Sequence, residues 1–280
     1  MKERPGGRTN GMGETMGSIL DLPLMREAAE SCHLFWQSGW GECHAGNLSY
    51  LLSEDEVAEL APYFLDEPVR VEATFDTCGL EGRYFLATRS GSQFRTIVSR
   101  VETDLGILRV GEGFYEIVWG YGDGELRPTS ELPAHLLCHA ARLASNDANR
   151  IVMHCHPTYV NAMSTIADME ERAFTKMLWS LNSECILVFP EGIGTLPWMP
   201  CGEGSIAPAT AEKMRTYRVV VWPYHGMFAS GESFDEVIGL IETIEKNAQV
   251  YVAVGGKPQN RISDEQLREL AEHFGLDPEI

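Results

Sequence analysis

Residues 151–160 read IVMHCHPTYV, and the reading of this run decides the fold. Its apolar character and the proline that follows the second histidine suit an interior strand. Alternate residues of a strand share a face, so His154 and His156 project side by side while Cys155 points away. Ahead of it, PTSELPAHLLCHAARLA (128–144) predicts a helix with Thr129 or Ser130 as N-cap and Pro133 in its first turn. Further upstream, NLSYLL (47–52), YFLATRS (84–90), LGILRV (105–110) and YEIVWG (115–120) read as strands between Gly-containing turns. Apolar Ile19, Leu20, Leu24, Ala28 and Leu34 or Phe35 suit a helix that stops at Gly39.

Downstream, the sequence predicts a helix around 168–180 and strands in ECILVFP (184–190) and RVVVWPYHG (218–226). A helix from Ser233 then opens with a capping box to Glu236 and carries Phe234, Val237, Ile238, Ile241 and Ile244 on its apolar side. The last helix starts with a similar box, Ser263 and Gln266, and ends near Gly275. Strands and helices mix without strict alternation, repeat or linker, so residues 17–280 are expected to form one layered α/β domain behind a Gly-rich, polar tail at 1–16.

The 280 residues are 44% hydrophobic, enough for a proper core, and the net charge of −19 argues against nucleic-acid and anionic-membrane partners. A phosphorylated substrate would need a locally positive site made from a metal, an arginine or a helix N-terminus. No segment has the length and apolarity of a secretory signal or a membrane span, which predicts a soluble cytoplasmic protein. Cys32, Cys43, Cys78, Cys138, Cys155, Cys185 and Cys201 show no paired spacing and read as reduced core thiols.

Two imidazoles at strand spacing can reach one ion, and His225, at the end of VVVWPYHG and followed by Gly226, suits a third ligand. Three neutral imidazoles with an open position make a catalytic zinc pattern; a hydrogen-bonded core pair remains the alternative for His154 and His156 alone. His135 and His139 lie at i, i+4 on a helix but lack the glutamate that a zinc-protease helix places after its first histidine, so they read as structural. His33 and His273 read as helix-surface residues.

Together, GWGECHAGNLS (39–49), TRSGSQF (88–94), RPTSELPAH (127–135), VMHCHPT (152–158), ECILVFPEGIGTLPWM (184–199) and VVVWPYHGMFASG (219–231) resemble the class II, zinc-dependent aldolases of the rhamnulose-1-phosphate and fuculose-1-phosphate type. The resemblance implies a three-layer α/β/α domain around a central mixed, mostly antiparallel sheet. It implies cleavage of a ketose 1-phosphate at one Zn2+ per subunit, held by His154, His156 and His225, with Glu131 as the acid/base. Glu184 matches a glutamate that serves the aldehyde half of the reaction in a neighbouring subunit, and the expected assembly is a C4 homotetramer. Phosphate contacts fall on Gly46, Asn47, Ser90, Gly91, Thr129 and Ser130. The chain departs from the pattern at His44, Ala45, Arg89 and Ser92, and Arg89 either supplies positive charge or fills a pocket that glycine leaves open. An aldolase or a 4-epimerase for a different ketose phosphate, of the fuculose or ribulose type, and a non-catalytic adducin-like scaffold are the alternatives on the same fold.

Overall fold

β-Branched and aromatic runs separated by turn residues assemble into a nine-stranded sheet in the computed structural model, which describes residues 17–77, 79–122, 126–201 and 204–280. The strands are β1 (Asn47–Leu51), β2 (Val69–Glu72), β3 (Tyr84–Thr88), β4 (Leu105–Gly111), β5 (Phe114–Gly120), β6 (Ile151–Cys155), β7 (Gly194–Thr195), β8 (Val219–Trp222) and β9 (Gly226–Gly231). Their order is β2-β5-β4-β3-β1-β6-β9-β8-β7. Among the described residues, only β7 and β8 pair in parallel.

The helices are α1 (Pro23–Gln37), α2 (Glu54–Leu60), α3 (Val101–Asp104), α4 (Leu132–Leu143), α5 (Thr158–Ile166), α6 (Glu171–Leu181), α7 (Ser183–Val188), α8 (Ile206–Met214), α9 (Phe234–Ala253) and α10 (Asp264–Phe274). They lie on both faces of the sheet, as the α/β/α reading requires. Ile151, Met153 and Cys155 turn toward α1, α5, α6, α9 and α10. Val152 turns the other way, toward α4 and α8. His154 and His156 follow the parity of Val152, which confirms the alternation read from the sequence.

Several local expectations hold, and several are overturned. The Ser263–Gln266 box closes in both directions and Gly275 stops α10 in the left-handed region, φ 68°. At Ser233 only half a box forms: its hydroxyl accepts from Glu236 N, while the Glu236 carboxylate takes Glu232 N and Arg218 instead. Ile19 and Leu20 belong to a short 3-10 turn capped by Ser18, because Pro23 occupies the first turn of α1 and sets its start. The helix predicted at 128–144 begins at Leu132 with Glu131, not Thr129 or Ser130, in the N-cap position and without a side-chain capping bond; Thr129 Oγ1 instead accepts Glu131 N at 3.2 Å.

The predicted strand ECILVFP is overturned by α7 and the bend after it. Asn182 accepts Glu184 N at 3.0 Å, and this cap starts a helical turn that buries Cys185 and Ile186 against the helical layer, overriding their strand propensity. Short polar α2, edge strand β2, α5, α8 and the two-residue β7 gave no clear periodic signal. Of the cysteines, Cys32, Cys138, Cys155 and Cys185 are buried free thiols, but Cys43 and Cys201 are exposed, which corrects the reading of all as core. Cys78 and the 1–16 tail lie outside the described residues. His273 is exposed as expected; His33 is half-buried against Trp36.

Candidate metal centre and active site

The central strands bring the polar residues of three chain segments to one place. Asn47 on β1 is the register partner of His154 on β6, and His154 is the partner of Phe228 on β9. His225 immediately precedes β9, so the same sheet order delivers it beside the pair on β6. Gly226 is required there, since a Cβ would lie 2.3 Å from Cys155 O on the neighbouring strand.

Helix α5 clamps both sides of the triad. It begins directly after His156 and Pro157, and its free Tyr159 and Val160 N–H groups bond the buried Glu245 carboxylate of α9 at 2.9 Å. Its side chains then hold the turn that carries His225: Asn161 Nδ2 donates to His225 O at 2.8 Å, and Ser164 Oγ accepts Tyr224 N at 3.1 Å.

One ring nitrogen from each of His154, His156 and His225 lies within 4.8 Å of the others. The outer nitrogens are engaged behind them. His154 Nδ1 lies 3.0 Å from Met227 O and His156 Nδ1 lies 2.9 Å from Glu42 Oε1. Both partners are acceptors, so each Nδ1 carries a proton, and in the neutral, metal-binding form each Nε2 presents a lone pair. Those two lone pairs face each other at 3.2 Å. Two bare acceptors this close repel unless a cation lies between them, and tetrahedral metal–nitrogen bonds of about 2.0–2.1 Å separate ligand nitrogens by roughly 3.3 Å. The residues therefore fit a divalent ion. Burial also holds His154 well below its ordinary pKa, helped by the charges of His156 and His225, and burial lowers His225, so both favour the neutral, ligating form.

Glu131 Oε2 lies 3.8 Å from His154 Nε2. Burial raises its pKa, while the Asn47 hydrogen bond and then the His225 and His156 charges pull it back. Together these residues line a cavity of about 390 Å³ with Gly46, Asn47, Ser90, Gly91, Thr129 and Ser130, so every expected phosphate contact faces the triad. His44, Ala45 and Arg89 line it too, whereas Ser92 is buried away from it. The Arg89 guanidinium is partly tethered by Asp104 Oδ1 at 3.2 Å. Glu184 is not brought to this cavity; it is exposed and lines a separate groove with Asn182, Glu242 and Lys246. The sequence reading missed Glu42 as the support of His156, and no spacing could reveal a partner 114 positions away.

His135 and His139 stay apart from the triad and share the Ser49 hydroxyl, at 2.7 and 2.9 Å. Burial lowers the pKa of His139 from 6.5 to about 3. Between those values the unfolded chain binds a proton that the folded one refuses, so stability is complete above pH 6.5 and falls as the pH drops through this window. Moving from pH 7 to pH 5 should cost about 2 kcal/mol through this residue alone. Urea unfolding at the two pH values checks it: His139→Gln should show a shallower pH dependence than the parent chain, and an unchanged slope would contradict the assignment.

A family model for the class II aldolase and adducin N-terminal domain matches residues 26–252, and the chain belongs to that family. Among its relatives, a rhamnulose-1-phosphate aldolase of Listeria monocytogenes serovar 1/2a is 45% identical over 92% of this chain and 96% of its own. The rhamnulose-1-phosphate aldolase of Enterococcus faecalis is 42% identical over 94% of this chain and 95% of its own. Among solved structures, a sugar-phosphate aldolase from Thermotoga maritima superposes with a TM-score of 0.69 at 26% identity, covering 84% of this chain and 97% of the other. Among the described residues no helix is long and apolar enough to cross a membrane.

Proposed function

We propose that this chain is a class II aldehyde-lyase that cleaves L-rhamnulose 1-phosphate to dihydroxyacetone phosphate and L-lactaldehyde. The observation that carries the reading is the meeting of three imidazoles and Glu131 on one cavity whose walls are hydroxyls and glycine turns. The substrate is assigned from the relatives named above, and the functional unit is the 17–280 domain, placed in the cytoplasm. The expected metal is zinc, held by His154, His156 and His225, which suits a site of imidazole nitrogens alone.

Breaking a carbon–carbon bond beside a ketose carbonyl leaves an enediolate, whose developing charge the site must stabilise. A bound zinc ion supplies Lewis acidity for that charge. Glu131 moves the proton at the carbon that becomes nucleophilic, from a position fixed by Asn47. Gly46, Asn47, Ser90, Gly91, Thr129 and Ser130 hold the phosphate through turn N–H groups and polar side chains, and Gly46 lets its loop pass close to Phe94, where a Cβ would sit 2.5 Å from the ring. Glu184, exposed on its own subunit, is assigned to the aldehyde side of a neighbouring site in a cyclic tetramer.

A coupled assay for dihydroxyacetone phosphate across a panel of ketose 1-phosphates, with and without zinc, tests the reading. Release from L-rhamnulose 1-phosphate that a chelator abolishes supports it; interconversion without triose release would mark a 4-epimerase, and absence of bound metal would mark a scaffold. Arg89 makes a separate prediction. In a chain of net charge −19, its guanidinium is a local cation on the cavity wall. Arg89→Gln keeps a donor for Asp104 but removes the charge, and should raise KM about tenfold with kcat nearly unchanged, the scale of one charge-assisted hydrogen bond. A lower KM would mean that Arg89 obstructs the pocket.

A further inference from the structure

The face that α4 turns toward the sheet is polar along its centre line. Leu132 and Leu136 pack on one flank, Ala134, Cys138 and Ala141 on the other, and between them stand fully buried His135 and His139. A polar pair at that position needs partners on β1, and the partners form one continuous chain. Asn47 Nδ2 donates to Glu131 Oε2 at 2.8 Å. Asn47 Oδ1 meets His135 Nε2 in a short contact. His135 Nδ1 lies 2.7 Å from Ser49 Oγ, and Ser49 Oγ lies 2.9 Å from His139 Nε2.

Each bond sets the polarity of the next. A carboxylate only accepts, so the Asn47 amide nitrogen faces Glu131 and its oxygen faces His135. That oxygen also only accepts, so His135 carries its proton on Nε2 and takes the Ser49 hydroxyl hydrogen on the Nδ1 lone pair. Ser49 oxygen in turn accepts from His139 Nε2–H. At the far end His139 Nδ1 is buried without a partner, which this polarity makes a bare lone pair and not a stranded N–H. All the donors point toward Glu131.

We infer that Asn47 and His135, backed by Ser49 and His139, are positioning residues that hold the Glu131 carboxylate toward the imidazole triad. This inference rests on the acid/base role proposed for Glu131, and its test has one arm independent of activity. In the zinc-loaded protein, 15N chemical shifts of the His135 ring should show a protonated Nε2 and a bare Nδ1; the opposite tautomer would overturn the inference whatever the enzyme's substrate. In the kinetic arm, His135→Phe removes the donor at similar volume, and His135→Gln returns an amide N–H near the position of Nε2. The phenylalanine variant should lose about 30- to 100-fold in kcat, the scale of a misplaced catalytic group, with KM and zinc content unchanged. The glutamine variant should recover most of that loss. Equal losses in both, no loss in either, or an effect confined to KM would overturn the inference. If the phenylalanine variant does not fold, the tautomer measurement decides. A parent enzyme with no aldolase activity would sink the proposed function while leaving the tautomer result readable.

Discussion

Glu131→Gln is expected to lower kcat by about three orders of magnitude while leaving fold and zinc content intact. The Glu131 side chain is only 13% exposed and sits 3.8 Å from His154, so it is close to the reacting centre without being one of the three converging ligands. Glutamine has nearly the same shape and keeps an oxygen to accept from Asn47 Nδ2, so the hydrogen-bond chain behind it persists. What it loses is the ability to take and return a proton. Burial raises the proton affinity of Glu131 and brings it nearer the working range of a general acid/base, which glutamine cannot imitate. Steady-state kinetics with metal analysis checks this; turnover within tenfold of the parent would remove Glu131 from the proton transfer.

His225→Asn is the second large effect. His154 and His156 share one strand, and their Nε2 atoms alone already define an edge of the site at 3.2 Å. His225 reaches that edge from the turn before β9, held through its backbone by Trp222 and Asn161. Because those bonds do not involve the ring, the variant should fold normally. With two imidazoles left, bound zinc should fall well below one per subunit after desalting. Loss of several kcal/mol of charge stabilisation then lowers turnover about a thousandfold or more. A variant that kept stoichiometric zinc and full activity would show that His225 is not a ligand.

The legibility of the site differed from residue to residue for a physical reason. The His154 and His156 pair was visible because strand alternation is a local rule that holds whatever the strand packs against. The Ser263–Gln266 box was visible for the same reason, since both of its hydrogen bonds close within one helical turn. The segment from Glu184 misled because its apolar, β-branched residues suit either state, and only the Asn182 cap and the helical layer against which Cys185 and Ile186 pack select the helix. Thr129 and Ser130 looked like caps by type, but the chain enters α4 one residue later, with Glu131 at the boundary and its carboxylate turned toward the sheet.

From the sequence alone came the α/β class, the side chains able to bind a metal, and the shared face of two of them, all properties set by periods of two and three to four residues. The family resemblance added the remaining site residues and their expected roles. Tertiary structure decided which distant groups meet. Placing β6 between β1 and β9 puts Asn47 opposite His154 and carries His225 to the same edge. The loop before β1 supplies Glu42 to His156, and α4 lays His135 and His139 over Ser49. Such meetings follow from strand order and layer packing, which no local pattern encodes, and they turn three separate histidines and a glutamate into one site.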